Sequence, residues 1–376
     1  MIKRHYNIDK LIKPNKALIV YGPRRAGKTT LLNDFLKRTS LNYKLDSGDN
    51  IRIQQILSSQ DFSQIKEYAS GYELIAIDEA QQIPNIGLGL KILVDQVPGI
   101  RVIATGSSSF DLSQKLGEPL TGRKKTIILF PFSQGELLER YNKFELKENV
   151  ENFLTFGSYP EVAVAKTRKA KIDILNELID SYLLKDVFAI ERIKAPKQLL
   201  DLLRLLALQL GSEVSLNELS NKILLDVKTI SRYLDILEKS FVLKRLGSLR
   251  RNLRKEVSSK SKYYFYDNGV RNAIISQFNP LAERNDVGAL FENFVFIERI
   301  KNNNYKRKYG RNYFWRTYAG QEIDLVEERD GKLYGFEIKW SDKGKIRAPK
   351  DWTTNYKNTQ YKIISTRNYL DFIGIK

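Results

Sequence analysis

The sequence predicts an α/β protein in which a parallel sheet flanked by helices comes first, a mostly helical region follows, and a second α/β domain ends the chain. Residues 17–30, ALIVYGPRRAGKTT, place a glycine-rich loop between an apolar strand and a helix. Short apolar strands then alternate with helices, which is typical of a parallel sheet covered on both faces. Near the C-terminus, a helix precedes two strands that turn at Asp330-Gly331. We therefore expect three domains, at residues 1–160, 161–275 and 276–376.

The glycine-rich loop fits the phosphate-binding spacing G-x-x-x-x-G-K-[ST] from Gly22 to Thr29. Its glycines let backbone N–H groups close around phosphate oxygens at the start of a helix. In this pattern Lys28 reaches the β- and γ-phosphates, and the Thr29 hydroxyl holds Mg²⁺. A glycine turn that merely carries a lysine is the alternative, and the flanking strand and helix disfavour it. The candidate nucleotide-binding residues are Gly22, Pro23, Arg24, Arg25, Ala26, Gly27, Lys28, Thr29 and Thr30.

Two acids follow the next strongly apolar strand. Leu74–Ile77 is a continuous apolar run that ends in Asp78-Glu79. In a parallel sheet of this kind, an acid at the C-terminal end of a buried strand orders Mg²⁺, and a neighbouring glutamate can polarise the attacking water. We assign these roles to Asp78 and Glu79. Two acids that cap a helix start are the structural alternative.

The third apolar strand, within residues 100–109, ends in a polar cluster that faces the same edge of the sheet. Ser107, with Thr105 or Ser108 as alternatives, is a candidate sensor of the γ-phosphate, and a helix N-cap role fits Ser107 equally well. Arg123 precedes a predicted strand at Thr126–Phe130. It is a candidate arginine finger for a neighbouring subunit's nucleotide, or else a solvated basic residue.

The pattern changes at Ser215, which begins a short helix with Glu218 three residues later, as in a capping box. A second helix, KTISRYLDILEKS, and two strands joined by a basic loop complete a winged-helix layout. Basic residues along this loop suit a phosphate backbone, and Lys262 is counted among them. A winged helix that only links subunits is the alternative. The candidate DNA-binding residues are Lys228, Arg232, Arg250, Arg251, Arg254 and Lys255.

The last domain contains a second, less specific pattern of charged residues. Glu292 lies on an amphipathic helix, Asp324 lies on the first hairpin strand, and Glu337 and Lys339 lie two apart on the return strand. Two carboxylates that meet across the hairpin can hold Mg²⁺, and the lysine can activate a water against a phosphodiester. Glu298 is the less favoured helix acid. A Glu–Lys salt bridge on a solvated sheet face is the structural alternative.

Composition sets limits on the remaining function classes. The 376 residues carry a net charge of +19, contain no cysteine and contain one histidine, His5. Disulfide frames, thiolate metal sites and histidine-rich centres are therefore excluded. No apolar run approaches the ~18 residues that a membrane span requires. The positive surplus favours a polyanion, so we expect a cytoplasmic protein that binds DNA and no membrane.

The segments GPRRAGKTT, LIAIDEAQ, VIATGSSS and LTGR…FPFS resemble the AAA+-type P-loop ATPases of bacteria and archaea that carry a nuclease-like C-terminal half. The resemblance extends over essentially the whole chain. The hairpin and helix acids resemble the PD-(D/E)XK nuclease superfamily, with Asp324, Glu337, Lys339 and Glu292 at its motif positions. The resemblance implies a P-loop NTPase sheet, a helical and winged-helix region and an α/β nuclease-like domain. It also implies ATP rather than GTP, since no N-K-x-D motif follows the first domain.

Together these patterns predict a Mg²⁺-dependent ATPase that acts on DNA as a homo-oligomer, with branched or broken DNA as candidate substrates. Two other hypotheses fit the same residues. One is a metal-dependent DNA endonuclease gated by ATP. The other is a nucleotide-controlled switch or assembly ATPase that binds a protein partner instead of DNA.

Overall fold

The computed structural model describes residues 2–106, 120–180, 196–249, 260–341 and 347–375. The chain divides into two compact units. The N-terminal unit comprises Arg4–Pro131 with Lys239–Phe241, and the C-terminal unit comprises Met1–Lys3, Phe132–Glu238 and Val242–Lys376. The three-domain division predicted from the sequence differs from this, because one sheet of the C-terminal unit runs across the expected boundary between residues 275 and 276.

Within the described residues, the N-terminal unit contains a five-stranded sheet in which every neighbouring pair is parallel, in the order β2-β3-β4-β1-β5. The parallel α/β sheet predicted from the sequence is thereby confirmed. The fifth strand begins two residues before its predicted start. The strands are β1 (Lys16–Tyr21), β2 (Tyr43–Ser47), β3 (Leu74–Asp78), β4 (Arg101–Gly106) and β5 (Lys124–Ile128).

The helices of this unit cover the sheet through apolar side chains. Leu32 and Phe35 of the first helix are buried in one core cluster with Leu18 and Val20 of β1. Burial of such side chains contributes about 1.5–3 kcal/mol each. The helices are α1 (Lys28–Leu36), α2 (Ile51–Ser58), α3 (Phe62–Ala69) and α4 (Ile86–Gln96), with 3₁₀ turns at Ile8–Lys10 and Ala80–Gln82.

In the described part of the C-terminal unit, seven strands form one mixed sheet in the order β12-β11-β10-β9-β7-β8-β6. The hairpin β10-β11 is antiparallel, as the sequence predicts, whereas β11-β12 and β7-β9 are parallel. The strands are β6 (Glu213–Val214), β7 (Leu243–Ser248), β8 (Ser261–Phe265), β9 (Arg311–Arg316), β10 (Glu322–Arg329), β11 (Lys332–Ile338) and β12 (Thr359–Ile364).

Helices surround this second sheet and account for most of the remaining chain. None of the helices in the described ranges is long and apolar enough to cross a membrane. They are α5 (Gln134–Leu137), α6 (Lys143–Glu148), α7 (Val150–Phe156), α8 (Pro160–Val164), α9 (Arg168–Leu178), α10 (Pro196–Leu208), α11 (Leu216–Ile223), α12 (Val227–Lys239), α13 (Asn268–Ile274), α14 (Val287–Tyr305), α15 (Lys350–Asn355) and α16 (Tyr369–Phe372).

The helix-turn-helix and the two strands after it form where the sequence places them. Ser215 caps α11, with its hydroxyl accepting from the Glu218 N–H, and β7 pairs with β8 in antiparallel fashion. The other edge of β7 pairs with β9, so the two strands of the wing are interior strands of the seven-stranded sheet. This pairing joins segments about 65 residues apart, and a local pattern of side chains carries no information on such a partner.

Candidate functional sites

The loop between β1 and α1 has a backbone that only glycine allows at two points. Gly22 has φ +150° and Gly27 has φ +93°. A Cβ at position 22 would lie 2.0 Å from the Leu129 carbonyl oxygen. Position 27 is the left-handed N-cap of α1, which begins at Lys28 rather than at the predicted Thr30. The loop therefore passes directly into a helix N-terminus, where backbone N–H groups favour an anion.

Lys28 and Thr29, the lysine and threonine of the phosphate-binding motif, are held in place by hydrogen bonds. The buried Lys28 Nζ donates to the carbonyl oxygens of Gly22 and Pro23, both at 2.9 Å. Thr29 Oγ1, on the exposed first turn of α1, donates to Asp78 Oδ2 at 2.7 Å. Hydroxyl and carboxylate oxygens are the ligands that Mg²⁺ prefers, so this pair fits the metal that the motif implies.

Thr105, at the end of β4, joins the two acids that follow β3. Its fully buried hydroxyl donates to Asp78 Oδ1 and accepts from the Glu79 backbone N–H at 3.3 Å. Thr105 was one of three alternatives for a γ-phosphate sensor. Its buried hydroxyl links the two acids to the end of β4, and the sensor role stays a prediction. Ser107 and Ser108 lie outside the described residues.

Glu79 has a constrained backbone and a held carboxylate. Its φ is +50°, a left-handed conformation that is uncommon for a residue other than glycine. The Gln81 side-chain amide donates to Glu79 Oε2. Strain of this kind persists only where surrounding structure determines it, and it is often found at functional sites. Sequence reasoning missed Gln81, although its spacing of two residues from Glu79 was visible.

The other predicted residues of the nucleotide site fall into two groups. Arg24 and Arg25 are half-buried on the loop, Ala26 is buried and Thr30 is exposed.

Arg123 lies just before β5, and its Nε donates to Asp95 Oδ1 on α4. Since β1 and β5 are parallel, Arg123 lies at the opposite edge of the sheet from the loop, about 15 Å along the strands. It is too far away to contact the nucleotide of its own chain.

In the C-terminal unit, the four residues predicted as a nuclease motif lie close together in one charged cluster, which we call the acidic pocket. Asp324 Oδ2 accepts from the Ile338 N–H at 2.8 Å across the hairpin. Lys339 Nζ lies 2.7 Å from Glu337 Oε1, which is the salt bridge weighed as the alternative. Glu292 Oε1 accepts from the Tyr264 hydroxyl at 2.6 Å. Glu298, the less favoured helix acid, is bound instead by the Gln134 N–H and by Lys301.

Lys262 occupies this pocket, which corrects its assignment to a DNA-facing wing. Its Nζ lies 2.7 Å from Glu322 Oε1, 3.6 Å from Glu292 Oε1 and 3.9 Å from Asp324 Oδ1. The side chain is 2% exposed, because β8 is an interior strand with all five residues buried. Among the residues that the structure describes, no group of three or more acidic or histidine side chains is arranged to hold a metal ion. The assignment of Glu292, Asp324 and Glu337 as nuclease metal ligands therefore stays a prediction.

Glu292, Asp324 and Glu337 share one direction of pKa shift. Burial, with repulsion from Asp324, raises the pKa of Glu292 to about 7. Burial also raises the pKa of Asp324, and burial with repulsion from Asp324 raises that of Glu337. Burial by itself lowers the pKa of Lys262, but Glu292, Asp324 and Glu322 outweigh it and hold that pKa above its usual value. The ammonium is thus held in its charged form, while Glu292, Asp324 and Glu337 bind a proton more readily than exposed carboxylates do.

The predicted DNA-binding residues are placed only in part. Lys228 and Arg232 lie exposed on α12. Two other basic residues of the wing strands have partners within the unit, since Lys244 pairs with Glu238 and Arg245 donates to Ser261. Arg250, Arg251, Arg254 and Lys255 lie outside the described residues.

Three family models match successive parts of the chain. An AAA domain matches residues 14–138, a domain of unknown function (DUF8612) matches residues 147–281, and another domain of unknown function (DUF4143) matches residues 287–371. The first match covers the sheet, the phosphate loop and the two acids described above. The chain therefore contains an AAA-type P-loop ATPase domain, which accounts for most of the N-terminal unit.

The chain is also similar to individual proteins. An uncharacterized protein of Methanocaldococcus jannaschii is 26% identical over 342 residues, which cover 85% of this chain and 74% of that protein. An uncharacterized ATP-binding protein of Pyrococcus horikoshii is 37% identical over 67 residues, 16% of this chain and 21% of that protein. A solved signal transduction ATPase with a tetratricopeptide repeat sensor, also from P. horikoshii, is 13% identical and aligns with 77% of this chain and 43% of its own length. Its TM-score of 0.28 is too low to bear on the fold.

Proposed function

We propose that the protein hydrolyses ATP with Mg²⁺ and uses this reaction to act on DNA. The observation that carries the first half is the contact of 2.7 Å between Thr29 Oγ1 and Asp78 Oδ2, one residue from Glu79. A hydroxyl and a carboxylate for the metal, a lysine for the phosphates and a glutamate for water are the groups that phosphoryl transfer to water requires.

Each residue has a distinct role in this proposal. Lys28 leaves the carbonyls of Gly22 and Pro23 to bind the β- and γ-phosphates, while the loop N–H groups surround them. Thr29 and Asp78 hold Mg²⁺, which neutralises charge on the phosphate oxygens when bound. Thr105 orients Asp78, and Gln81 orients the Glu79 carboxylate that polarises the attacking water. The nucleotide is ATP, as the name of the P. horikoshii relative also supports.

DNA is the proposed partner because the net charge is +19 and α12 exposes Lys228 and Arg232 beside the helix-turn-helix. Exposed lysine and arginine on such a helix bind phosphates, and their release of counterions makes binding salt-dependent. A homo-oligomer is proposed as the working form. Arg123 lies at the edge of the sheet opposite the phosphate loop, so as a finger it would serve only a neighbouring subunit, after leaving Asp95.

The nucleotide half of the proposal is tested by ATP binding and hydrolysis in the full chain. We expect Lys28→Ala to weaken ATP binding and abolish turnover. Glu79→Gln should retain ATP binding within about threefold and lose hydrolysis by at least about 100-fold, because only the water-activating group changes. Lys37→Ala, at the exposed C-terminal end of α1, is the control and should leave both unchanged. Turnover by Glu79→Gln at the native rate would overturn the assignment.

A further inference from the structure

The pocket around Lys262 differs from a metal-dependent nuclease site in one respect that bears on function. Two elements bring three acids to it: Glu292 comes from α14, and Glu322 and Asp324 come from β10. The Lys262 ammonium, carried in by β8, lies within 2.7–3.9 Å of one oxygen from each of these acids. A cation is therefore already present among the carboxylates.

An ammonium and a divalent ion cannot share this position. Mg²⁺ needs oxygen ligands at about 2.0–2.1 Å in near-octahedral geometry, and it would lie beside a fixed positive charge. A buried lysine, in turn, is tolerated only where carboxylates pair with it, since burying an unpaired ammonium costs several kcal/mol. Lys262 is 2% exposed, so its ammonium depends on these carboxylates rather than on water.

We propose that Lys262 is the built-in cation of this pocket, so that the native chain binds no divalent ion there and the pocket does not cut phosphodiesters. The motif predicts a metal ion among these acids, whereas the structure places the Lys262 ammonium there. The inference depends neither on ATP hydrolysis nor on DNA binding. Glu292, Asp324, Glu337 and Lys339 then serve as a charged network that joins α14, the hairpin and the wing strand β8.

The network sets four acids, Glu292, Glu322, Asp324 and Glu337, against the ammonium groups of Lys262 and Lys339 and the Arg316 guanidinium, which makes the proposal testable. Glu337 Oε2 is buried with no hydrogen-bond partner among the described residues. Removing the positive charge at position 262 should therefore turn the pocket into a cation site. Lys339 offers a matched control, because its ammonium is 44% exposed and contacts Glu337 at the rim.

The experiment measures Mn²⁺ binding to the full chain without nucleotide, by electron paramagnetic resonance. Every arm carries Asp78→Asn so that the phosphate loop contributes no metal site. We expect the parent chain to bind no Mn²⁺ in this pocket. Adding Asp324→Asn to the parent chain should therefore leave the amount of bound Mn²⁺ unchanged. The Lys262→Met chain should bind one Mn²⁺ per chain, with an affinity at least about tenfold higher than that of the parent chain. The Lys339→Met chain should gain no such site.

Folding is controlled within the same design. Lys262→Met/Glu322→Gln removes one acid with the lysine, and should also gain Mn²⁺ binding if the single variant is too unstable to measure. Recovery of folding by Mn²⁺ in either variant would support the proposal. A parent chain that binds one Mn²⁺ lost on Asp324→Asn would overturn it. So would a folded Lys262→Met chain that gains no Mn²⁺, or failure of both Lys262 variants to fold in its presence.

Discussion

A single buried hydroxyl links the two acids of the ATPase site. Thr105 donates to Asp78 Oδ1, while the Glu79 N–H donates to Thr105 Oγ1. Asp78 is thus held by Thr29 on one oxygen and by Thr105 on the other. The proposed metal ligand and water-activating group are therefore positioned from a strand, β4, that contributes nothing to the phosphate-loop motif itself.

Replacing Thr105 by valine should impair turnover without preventing nucleotide binding. Valine keeps the shape of the side chain but leaves Asp78 and the Glu79 N–H without their partner, at about 1–3 kcal/mol. We expect the rate of ATP hydrolysis to fall roughly 10- to 100-fold, with ATP affinity within about threefold of the native value. Thr105→Ser keeps the hydroxyl and is the control. Native turnover by Thr105→Val would show that the hydroxyl plays no positioning role.

Glu327 and Arg299 form a buried pair that stabilises the C-terminal unit. Arg299 Nε and Nη2 donate to the two Glu327 oxygens at 2.7 and 2.8 Å, and Glu327 is 1% exposed. Burial alone would raise the pKa of Glu327, but the hydrogen bond and charge of Arg299 outweigh it and lower that pKa below its usual value. Stability from this pair is therefore fully present above the unfolded-state pKa of about 4.3 and is lost as pH falls through the lower folded-state value.

Glu327→Gln should destabilise the C-terminal unit by about 3 kcal/mol at pH 7, because Arg299 is left without its countercharge. The difference from the native chain should shrink below pH ~4. Urea unfolding followed by tryptophan fluorescence measures this unit alone, since Trp315, Trp340 and Trp352 all lie in it. Glu328→Gln, next in sequence and half-buried beside Tyr313, is the control. A gap that stayed constant down to pH 3 would rule out the ion pair as its cause.

At the scale of single residues, the sequence predicted the motifs better than their neighbours. Lys28, Thr29 and Asp78 could be identified because glycine spacing and an apolar strand mark them locally. Lys262 could not, because its three acidic partners lie 30 or more residues away along the chain. Its burial follows from the position of β8 between β6 and β7 in the seven-stranded sheet, which no local pattern reveals.

At the scale of elements, the parallel sheet followed from strand patterns alone. Continuous apolar runs such as Leu74–Ile77 belong to strands buried on both faces, and the strands β1, β3 and β4 are of this type. The helix-turn-helix was also predictable, from the cap at Ser215 and the periodicity of α12. The prediction of a separate two-stranded wing was wrong, because β7 and β8 belong to the same seven-stranded sheet as the hairpin β10-β11.

The exposed face of α12 gives a prediction on DNA binding. Lys228→Ala/Arg232→Ala should weaken binding to all DNA sequences alike and reduce the slope of log affinity against log salt by about 2, since two phosphate contacts disappear. Lys197→Ala/Arg204→Ala, on the exposed face of α10, removes the same charges elsewhere and is the control. Fluorescence anisotropy from 50 to 300 mM salt measures both. Equal losses in the two double variants would attribute binding to net charge rather than to α12.

At the scale of the whole molecule, the chain combines an ATPase unit with a second unit that contains the helices α11 and α12 and a seven-stranded mixed sheet. The proposal that joins them is that DNA, bound by the C-terminal unit, alters ATP turnover by the N-terminal unit. A switch that responds to a protein partner would share the ATPase chemistry but would not respond to DNA. An ATP-gated endonuclease would respond to DNA and also cut it, which the buried Lys262 argues against.

The most direct test is the rate of ATP hydrolysis with no DNA and with single-stranded, duplex and four-way-junction DNA, at low and high salt. Lys28→Ala is the blank, and the DNA from each reaction is analysed on a gel. We predict that at least one DNA form stimulates turnover at low salt, that the stimulation declines as salt rises, and that all DNA is recovered uncut. A native hydrolysis rate indifferent to every DNA form would contradict the account and favour a protein partner.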